Sequence, residues 1–186
     1  LGGGLIGDGP VVLGGEAAYF ELAMERVQDS NSREGLAVGV TTLAPQELPE
    51  MPESIDMLQT CWAVGFDGQM FDSLAEKWMK VPWSSAELRQ GDRVGVLVTE
   101  EGQMRIFVNG RHRTDGPGGI PRTAPLFAIA DLIGSACSVS FRPGSRPPAD
   151  AEQLTEPFVS AVEVRPVMAG FCRAWAGRLV ELSADG

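Results

Sequence analysis

Residues 91–110 form one continuous strand-turn-strand pattern, which restricts the fold more than any other part of the sequence. Apolar side chains alternate with small or polar ones on both sides of Glu100-Glu101-Gly102: Val94, Val96 and Val98 before it, Met104, Ile106 and Val108 after it. Asn109-Gly110 then supplies two residues that adopt positive φ angles readily, as a tight reversal requires. The pattern therefore predicts consecutive antiparallel hairpins.

Further strands are predicted wherever short apolar segments lie between turn-forming residues. They cover residues 18–24, 36–42, 61–66, 124–132 and 136–141, with later candidates at 158–164 and 178–182. The predicted loops are a Gly-rich start at 1–15, a Pro/Glu-rich stretch at 45–54, a helical turn or irregular loop at 72–80, and a polar loop at 111–123. Ser-x-x-Glu at 84–87 predicts the cap of one helical turn. The fold class that follows is all-β, a two-sheet antiparallel β-sandwich.

The charge balance narrows the classes of partner. Fifteen Lys and Arg residues against 25 Asp and Glu residues give a formal net charge of −10, which repels nucleic acid and anionic membranes. The sequence contains no apolar run long enough to span a membrane. Cys61, Cys137 and Cys172 are far apart and lack the spacing of a zinc site or a disulfide framework. We therefore expect reduced thiols, a cytoplasmic location and no metal.

Two motifs raise the question of catalysis. Gly2-Gly3-Gly4-Leu5-Ile6-Gly7 matches G-x-G-x-x-G, but a dinucleotide site needs a preceding strand and a following helix, and Asp8-Gly9-Pro10 follows here. His112 is the only histidine, and we expect no orienting carboxylate beside it in the sequence. Acidic residues on the predicted turns support a calcium site only weakly. The sequence thus predicts a protein that is not an enzyme and has no cofactor.

Two predicted loops, 67–83 and 109–123, are the candidate recognition surface. The first contains Met70, Phe71, Trp78 and Trp83; such side chains suit a peptide-binding surface, and they also serve to pin long loops to a sandwich. The second contains Asn109, Arg111 and Arg113, which either bind an acidic or amide-rich peptide or are simply solvated. We predict that these seven residues contact a partner.

Five motifs in the same order resemble the Neuralized homology repeat. They are Tyr19-Phe20-Glu21-Leu22, residues 36–42, Leu88-x-x-Gly91-Asp92-x-Val94-Gly95-Val96, Phe107-Val108-Asn109-Gly110 and residues 125–134. The resemblance covers residues 13–141, and the segment 45–83 departs from it. Because this repeat is related to SPRY domains, the resemblance implies a bent two-sheet β-sandwich.

The ends of the chain add a second aspect of the resemblance. Neuralized repeats open with a strand of the pattern F-x-x-x-x-G-x-x-V-x-L-S, which is missing at Leu1 and is resembled by residues 171–183. Either the sequence is cut out of phase from a tandem array of a longer protein, or the repeat is circularly permuted. We expect residues 177–182 to pair near the strand at 19–24, in cis or in a strand-swapped dimer, because an unfilled apolar sheet edge promotes aggregation.

The resemblance implies a non-catalytic module that binds a protein or peptide. Family members serve as substrate-binding parts of ubiquitin-ligase adaptors or as tandem scaffolds, and the cysteines of a RING are absent from this sequence. The alternatives are a structural spacer repeat and a jelly-roll domain that is enzymatic or binds carbohydrate. We expect a sandwich at 1–142, a Pro-rich linker at 143–157, and terminal strands at 158–186 that complete the sandwich or open a next repeat.

Overall fold

A computed structural model describes residues 3–12, 17–28, 34–149 and 151. Within this part of the chain, eleven strands form two antiparallel sheets. The strands are β1 Gly4–Val12, β2 Ala18–Val27, β3 Leu36–Thr41, β4 Trp62–Phe66, β5 Gln69–Asp72, β6 Lys77–Lys80, β7 Arg93–Val98, β8 Met104–Val108, β9 Arg111–Asp115, β10 Leu126–Leu132 and β11 Ala136–Phe141. The predicted all-β sandwich is confirmed.

The order of the strands sets which segments lie at the sheet edges. One sheet has six strands in the order β1-β10-β3-β4-β5-β6, and the other has five in the order β11-β2-β7-β8-β9. The predicted hairpin at 91–110 is β7 and β8, with Val96 opposite Ile106. Asn109 and Gly110 have φ angles of 52° and 76°, as the reversal into β9 requires.

The main core lies between the two sheets and is built from the alternating side chains. It contains Phe20, Leu22 and Met24 from β2, Val94, Val96 and Val98 from β7, and Leu36, Val38 and Val40 from β3. Trp62 and Val64 of β4 and Met104 and Ile106 of β8 extend it toward the later strands. Because inward side chains of both sheets contribute, the two sheets are fixed face to face over one apolar layer.

Three segments predicted as loops contain strands. The Gly-rich start forms β1, which pairs with β10 and tolerates Pro10 because it is an edge strand. The segment 72–80 completes the β5–β6 hairpin, and the start of the polar loop at 111–123 is β9. The predictions for β6 and β9 were wrong because these edge strands bury few side chains, so their apolar alternation is weak. The prediction for β1 was wrong because glycines and Pro10 interrupt its pattern, although Leu5 and Ile6 are buried.

The outer face of the six-stranded sheet is covered by the segment that follows β3. This segment makes 3₁₀ turns at Pro45–Glu47 and Ile55–Met57, so the prediction that 45–54 joins no sheet is confirmed. Ile55 and Leu58 are buried against Ile6, Ala63 and other outward side chains of the sheet. The sheet is therefore apolar on both faces.

The outer face of the five-stranded sheet carries a smaller apolar cluster. Tyr19, Leu97 and Phe107 pack there with Ala151, which follows the Pro-rich segment. The rings of Tyr19 and Phe107 meet edge to face at 6.5 Å. The late strand candidates at 158–164 and 178–182, and the pairing proposed for 177–182, lie outside the described residues.

Candidate functional site

Three aromatic rings lie together on the outer side of β4, β5 and β6. Phe71 and Trp78 are cross-strand partners, with ring centroids 4.6 Å apart. Phe66 meets Trp78 edge to face at 5.1 Å, after a register shift between Val64 and Phe66 at which Gly65 has a φ of 130°. The structure thus brings together Phe71 and Trp78, and Trp78 remains 42% exposed.

The two methionines of the hairpin are also cross-strand partners. Met70 pairs with Met79 and packs against the core between the sheets. Since side chains alternate along a strand, Met70 and Phe71 lie on opposite faces of the sheet. Leu74, in the turn between β5 and β6, is 62% exposed. The hairpin therefore has apolar groups on both faces and at its tip.

Trp83 is largely removed from the surface. It is 7% exposed and belongs to the core between the sheets. Beside it, Ser85 donates its hydroxyl to the carbonyl of Gly65 at 2.8 Å and accepts from the amide of Leu36 at 3.1 Å. The predicted turn is a 3₁₀ turn over Ser85–Glu87, capped by Ser84. Trp83 and its neighbours border an open cavity of about 460 Å³ between the β4–β5 turn and the segment after β6.

The predicted polar residues lie on the other sheet. Asn109 is held in the β8–β9 turn, where its amide donates to Asp92 Oδ1 at 2.8 Å and its oxygen accepts from the Arg93 amide at 2.9 Å. Arg111 and Arg113 are exposed on β9, the edge of the five-stranded sheet. The aromatic cluster and the arginines thus lie on edge strands of different sheets.

His112 has an orienting carboxylate, contrary to the expectation from the sequence. Its Nε2 lies 3.1 Å from Oδ1 of Asp115, and Arg105 approaches the same oxygen at 3.6 Å. The bulge between Ile106 and Phe107 produces this arrangement, because it shifts the register of β9. The imidazole also meets the ring of Phe107 at 5.6 Å. The contacts fix the ring against the sheet.

A polar cavity on the outer side of β2 and β11 has no counterpart in the predictions. Its volume is about 580 Å³, and its lining includes Glu21, Glu25, Arg93 and Ser145. Glu21 is 7% exposed, accepts from Tyr19 at 3.2 Å, and lies 3.8 Å from Arg93. Burial first, and then the Glu21 carboxylate, raises the pKa of the Tyr19 hydroxyl well above its ordinary value.

The alternating pattern of β2 contains the only signal for this cavity. Glu21 occupies an outward position between the core residues Phe20 and Leu22, where a charged side chain is ordinarily solvated. Glu25 accepts from the hydroxyl of Ser140. Both carboxylates are therefore engaged by neighbouring groups.

Two further groups are buried at positions that bear on reactivity. Desolvation raises the pKa of the Cys61 thiol, which is fully buried, so little thiolate is available. Desolvation lowers the pKa of Arg122, whose guanidinium nitrogens meet no hydrogen-bond acceptor within the described residues.

Over the same ranges, no group of three His, Cys, Asp or Glu residues is arranged to hold a metal ion. None of the helices described there has the length and apolarity needed to cross a membrane.

Comparison with known proteins agrees with this geometry. The NHR1 domain of Neuralized from Drosophila melanogaster, in a crystal structure, has a TM-score of 0.50 at 14% identity, covering 69% of this chain and 71% of that chain. The solution structure of the same protein's NHR domain has a TM-score of 0.51 at 15% identity, covering 72% and 70%. These likenesses show a shared fold.

The family itself is shown by the sequence. The Neuralized family model matches residues 15–142. This range includes ten of the eleven described strands, from β2 to β11. The chain therefore belongs to the Neuralized family.

Proposed function

We propose that this domain is a non-catalytic recognition module that binds an extended segment of a partner protein. Neuralized and SPRY domains are generally protein-interaction domains. The observation that carries the proposal is the Phe66, Phe71 and Trp78 cluster, because it is apolar, partly exposed and preordered by ring contacts. Rigid aromatic side chains of this kind are common anchors of binding energy.

The position of the cluster supports an edge-on mode of binding. The outer face of the six-stranded sheet is covered by Ile55, Leu58 and their neighbours, and that of the other sheet by the Tyr19 cluster. The strand edges and the turns next to them therefore offer the accessible surface. We place Met70, Phe71 and Trp78 at the centre of the proposed site and Trp83 beneath it as a support.

Asn109, Arg111 and Arg113 form the proposed second part of the surface. Arg111 and Arg113 are exposed, and exposed cations steer association and set its salt dependence more than its final affinity. We propose that they act on acidic partner residues outside the main contact. In a longer protein the module would act as a ubiquitin-ligase adaptor or a scaffold repeat, and the buried thiol of Cys61 supports an intracellular setting.

Selection from a random-peptide display library on the immobilised chain tests this function. We expect enrichment of peptides whose binding falls with Phe71→Ala by about 2 kcal/mol or more, as at a hot spot. Met57→Ala is the matched control, since Met57 is 68% exposed and lies on a different segment. The Arg111→Ala/Arg113→Ala variant should mainly slow association. If no peptide is enriched over an empty support, the domain is a spacer repeat and the proposal is wrong.

A further inference from the structure

The two lysines of this chain occupy one short strand. Among 186 residues, Lys appears only at positions 77 and 80, while the other 13 basic residues are Arg. Both lysines lie on β6 and are exposed. They flank Trp78 and Met79 on a protein with a formal net charge of −10. β6 is therefore a local cationic strand with an apolar centre.

The backbone of β6 is available on one side. β6 is the last strand of the six-stranded sheet and pairs with β5 on its inner side. In the described ranges, no strand pairs with its other side. An edge strand of this kind presents N–H and C=O groups that accept an added strand. Trp78, already held by Phe66 and Phe71, is ordered before any partner arrives, which reduces the entropy lost on binding.

We propose that β6 binds an extended acidic segment of a partner protein, which adds to the sheet as a seventh strand. This inference rests on the proposed recognition function. Residues that lie opposite each other on adjacent strands interact directly. Lys77 and Lys80 then select two carboxylates, and Trp78 and Met79 select the two apolar residues between them. The recognised pattern is acidic-apolar-apolar-acidic, with one apolar side chain on each face of the sheet.

The charges argue against a second copy of this chain as the occupant. If two β6 strands paired antiparallel about their centres, Lys77 of each would lie opposite Lys80 of the other. Like charges directly opposite each other destabilise a strand pair. Each chain also carries the same net negative charge. An acidic partner segment places a negative charge opposite each lysine, whereas a second copy places a positive charge opposite each lysine.

Lysines on an edge strand also have a protective role in some proteins, where they prevent edge-to-edge aggregation. A strand protected in this way has no need of a large apolar group between its charges. Here Trp78 is 42% exposed between the two lysines, and Leu74 is 62% exposed at the tip of the same hairpin. The combination of charge and exposed aromatic surface favours recognition.

Fluorescence anisotropy with synthetic peptides measures the selectivity. The probe is a fluorescein-labelled decapeptide with the central residues Glu-Ile-Val-Glu, compared with one that has Gln-Ile-Val-Gln. We expect wild-type protein to prefer the Glu peptide about fivefold or more. Lys77→Gln/Lys80→Gln should remove this preference, while Lys77→Arg/Lys80→Arg should keep it. Arg142→Gln/Arg146→Gln, at two exposed arginines that follow β11, is the matched control and should leave it unchanged.

Backbone N-methylation of alternate residues in the Glu peptide tests strand addition. Methylation of the residues that face β6 removes the donors of the shared ladder and should abolish binding, whereas methylation of the intervening residues should have little effect. Equal binding of the two methylated peptides would overturn the proposal. Trp78→Ala should weaken the Glu peptide about tenfold or more and supplies a second variant should the lysine variants fail to fold.

Carbodiimide cross-linking identifies the occupant directly. This reagent joins amines to carboxylates, so in this chain only Lys77, Lys80 and the terminal amine react as amines. A product that joins residues 77–80 to the Glu peptide supports the proposal. A product with the chain's own carboxylates, in cis or between two copies and unaffected by the peptide, overturns it. Library peptides that bind the lysine variants normally would overturn the selection of an acidic segment by β6 and leave the recognition function intact.

Discussion

Asp131 is completely buried on β10, where a carboxylate cannot be hydrated. Its Oδ2 accepts from the amide of Ile55 at 3.0 Å, and Oδ1 meets no hydrogen-bond donor among the described residues. Desolvation raises the pKa of this carboxyl, and the hydrogen bond from the Ile55 amide only partly opposes it. The carboxyl group of Asp131 thus links the covering 3₁₀ segment to the sheet through a hydrogen bond. Because the charged carboxylate is desolvated, its ionisation destabilises the folded state.

Asp131→Asn should change how stability depends on pH. The pKa of Asp131 in the folded state lies above its unfolded-state value of about 3.9. Its contribution to folding stability is therefore greatest when the pH is below the unfolded-state pKa, and it is lost as the pH rises through the folded-state pKa. The amide does not ionise, so the melting temperature of the variant relative to wild type should be higher at pH 7 than at pH 4. Scanning calorimetry at both pH values measures this. The Glu50→Gln variant, changed at an exposed carboxylate, should show no such trend.

The sequence predicts inward side chains better than outward ones. The alternation of Val94, Val96 and Val98 identifies the core face of β7 because that face is uniformly apolar. Glu21 and Asp131 occupy outward positions, and nothing in their local sequence shows that a distant segment will cover them. Asn109, in contrast, adopts a positive φ because of its own side-chain chemistry, which the sequence shows directly. Its turn was therefore predicted correctly.

The segment between β3 and β4 stabilises the molecule although it contributes no strand. Its second 3₁₀ turn buries Ile55 fully against the outer face of the six-stranded sheet, while Met57 two residues later is 68% exposed. Small outward residues leave room for this packing. At Gly4, an added Cβ would lie 2.7 Å from Cε of Met51 and 3.3 Å from Cγ2 of Ile55.

Ile55→Ala should lower the free energy of unfolding by about 2–5 kcal/mol, since truncation of this fully buried side chain leaves a cavity between the segment and the sheet. Met57→Ala should change it by less than about 0.5 kcal/mol because its side chain is already hydrated. Denaturant titration of both variants measures the difference. Similar losses for the two would show that the segment is not packed on the sheet in solution.

Four strands were missed from the sequence, β1, β5, β6 and β9, and all of them except β5 are at sheet edges. β6 reads Lys-Trp-Met-Lys and β9 reads Arg-His-Arg-Thr-Asp, so charge replaces the apolar alternation that marks interior strands. Each extends because a neighbouring strand supplies its hydrogen bonds, and that neighbour is decided by tertiary structure. The intrinsic strand propensity of the residues therefore does not show which neighbouring strand pairs with them.

For the whole molecule, strand order predicts a gradient of local stability. Amides of β3 and β10, and of β2 and β7, lie inside their sheets, whereas β6 and β9 are terminal. In native-state hydrogen exchange we expect the interior strands to exchange slowest and β6 among the fastest of the paired strands. Protection of β6 equal to that of β3 in the free protein would mean that another segment already occupies its outer edge.

At this scale the candidate site was only partly predictable. The aromatic residues were recognised as a group, and the rings of Phe71 and Trp78 do touch. Their separation from Arg111 and Arg113 depends on the strand order, which places 69–80 and 111–115 in different sheets. A single sequence gives the segments but not the order in which they pair.

The covered outer faces also bear on how this domain can diverge. Stability resides in three apolar layers, while β6, β9 and the turns next to them contribute little burial and tolerate substitution within about 0.5 kcal/mol at exposed positions. Mutations at the rim are therefore nearly neutral for folding. One scaffold can consequently acquire new specificities there without compensating changes in its interior.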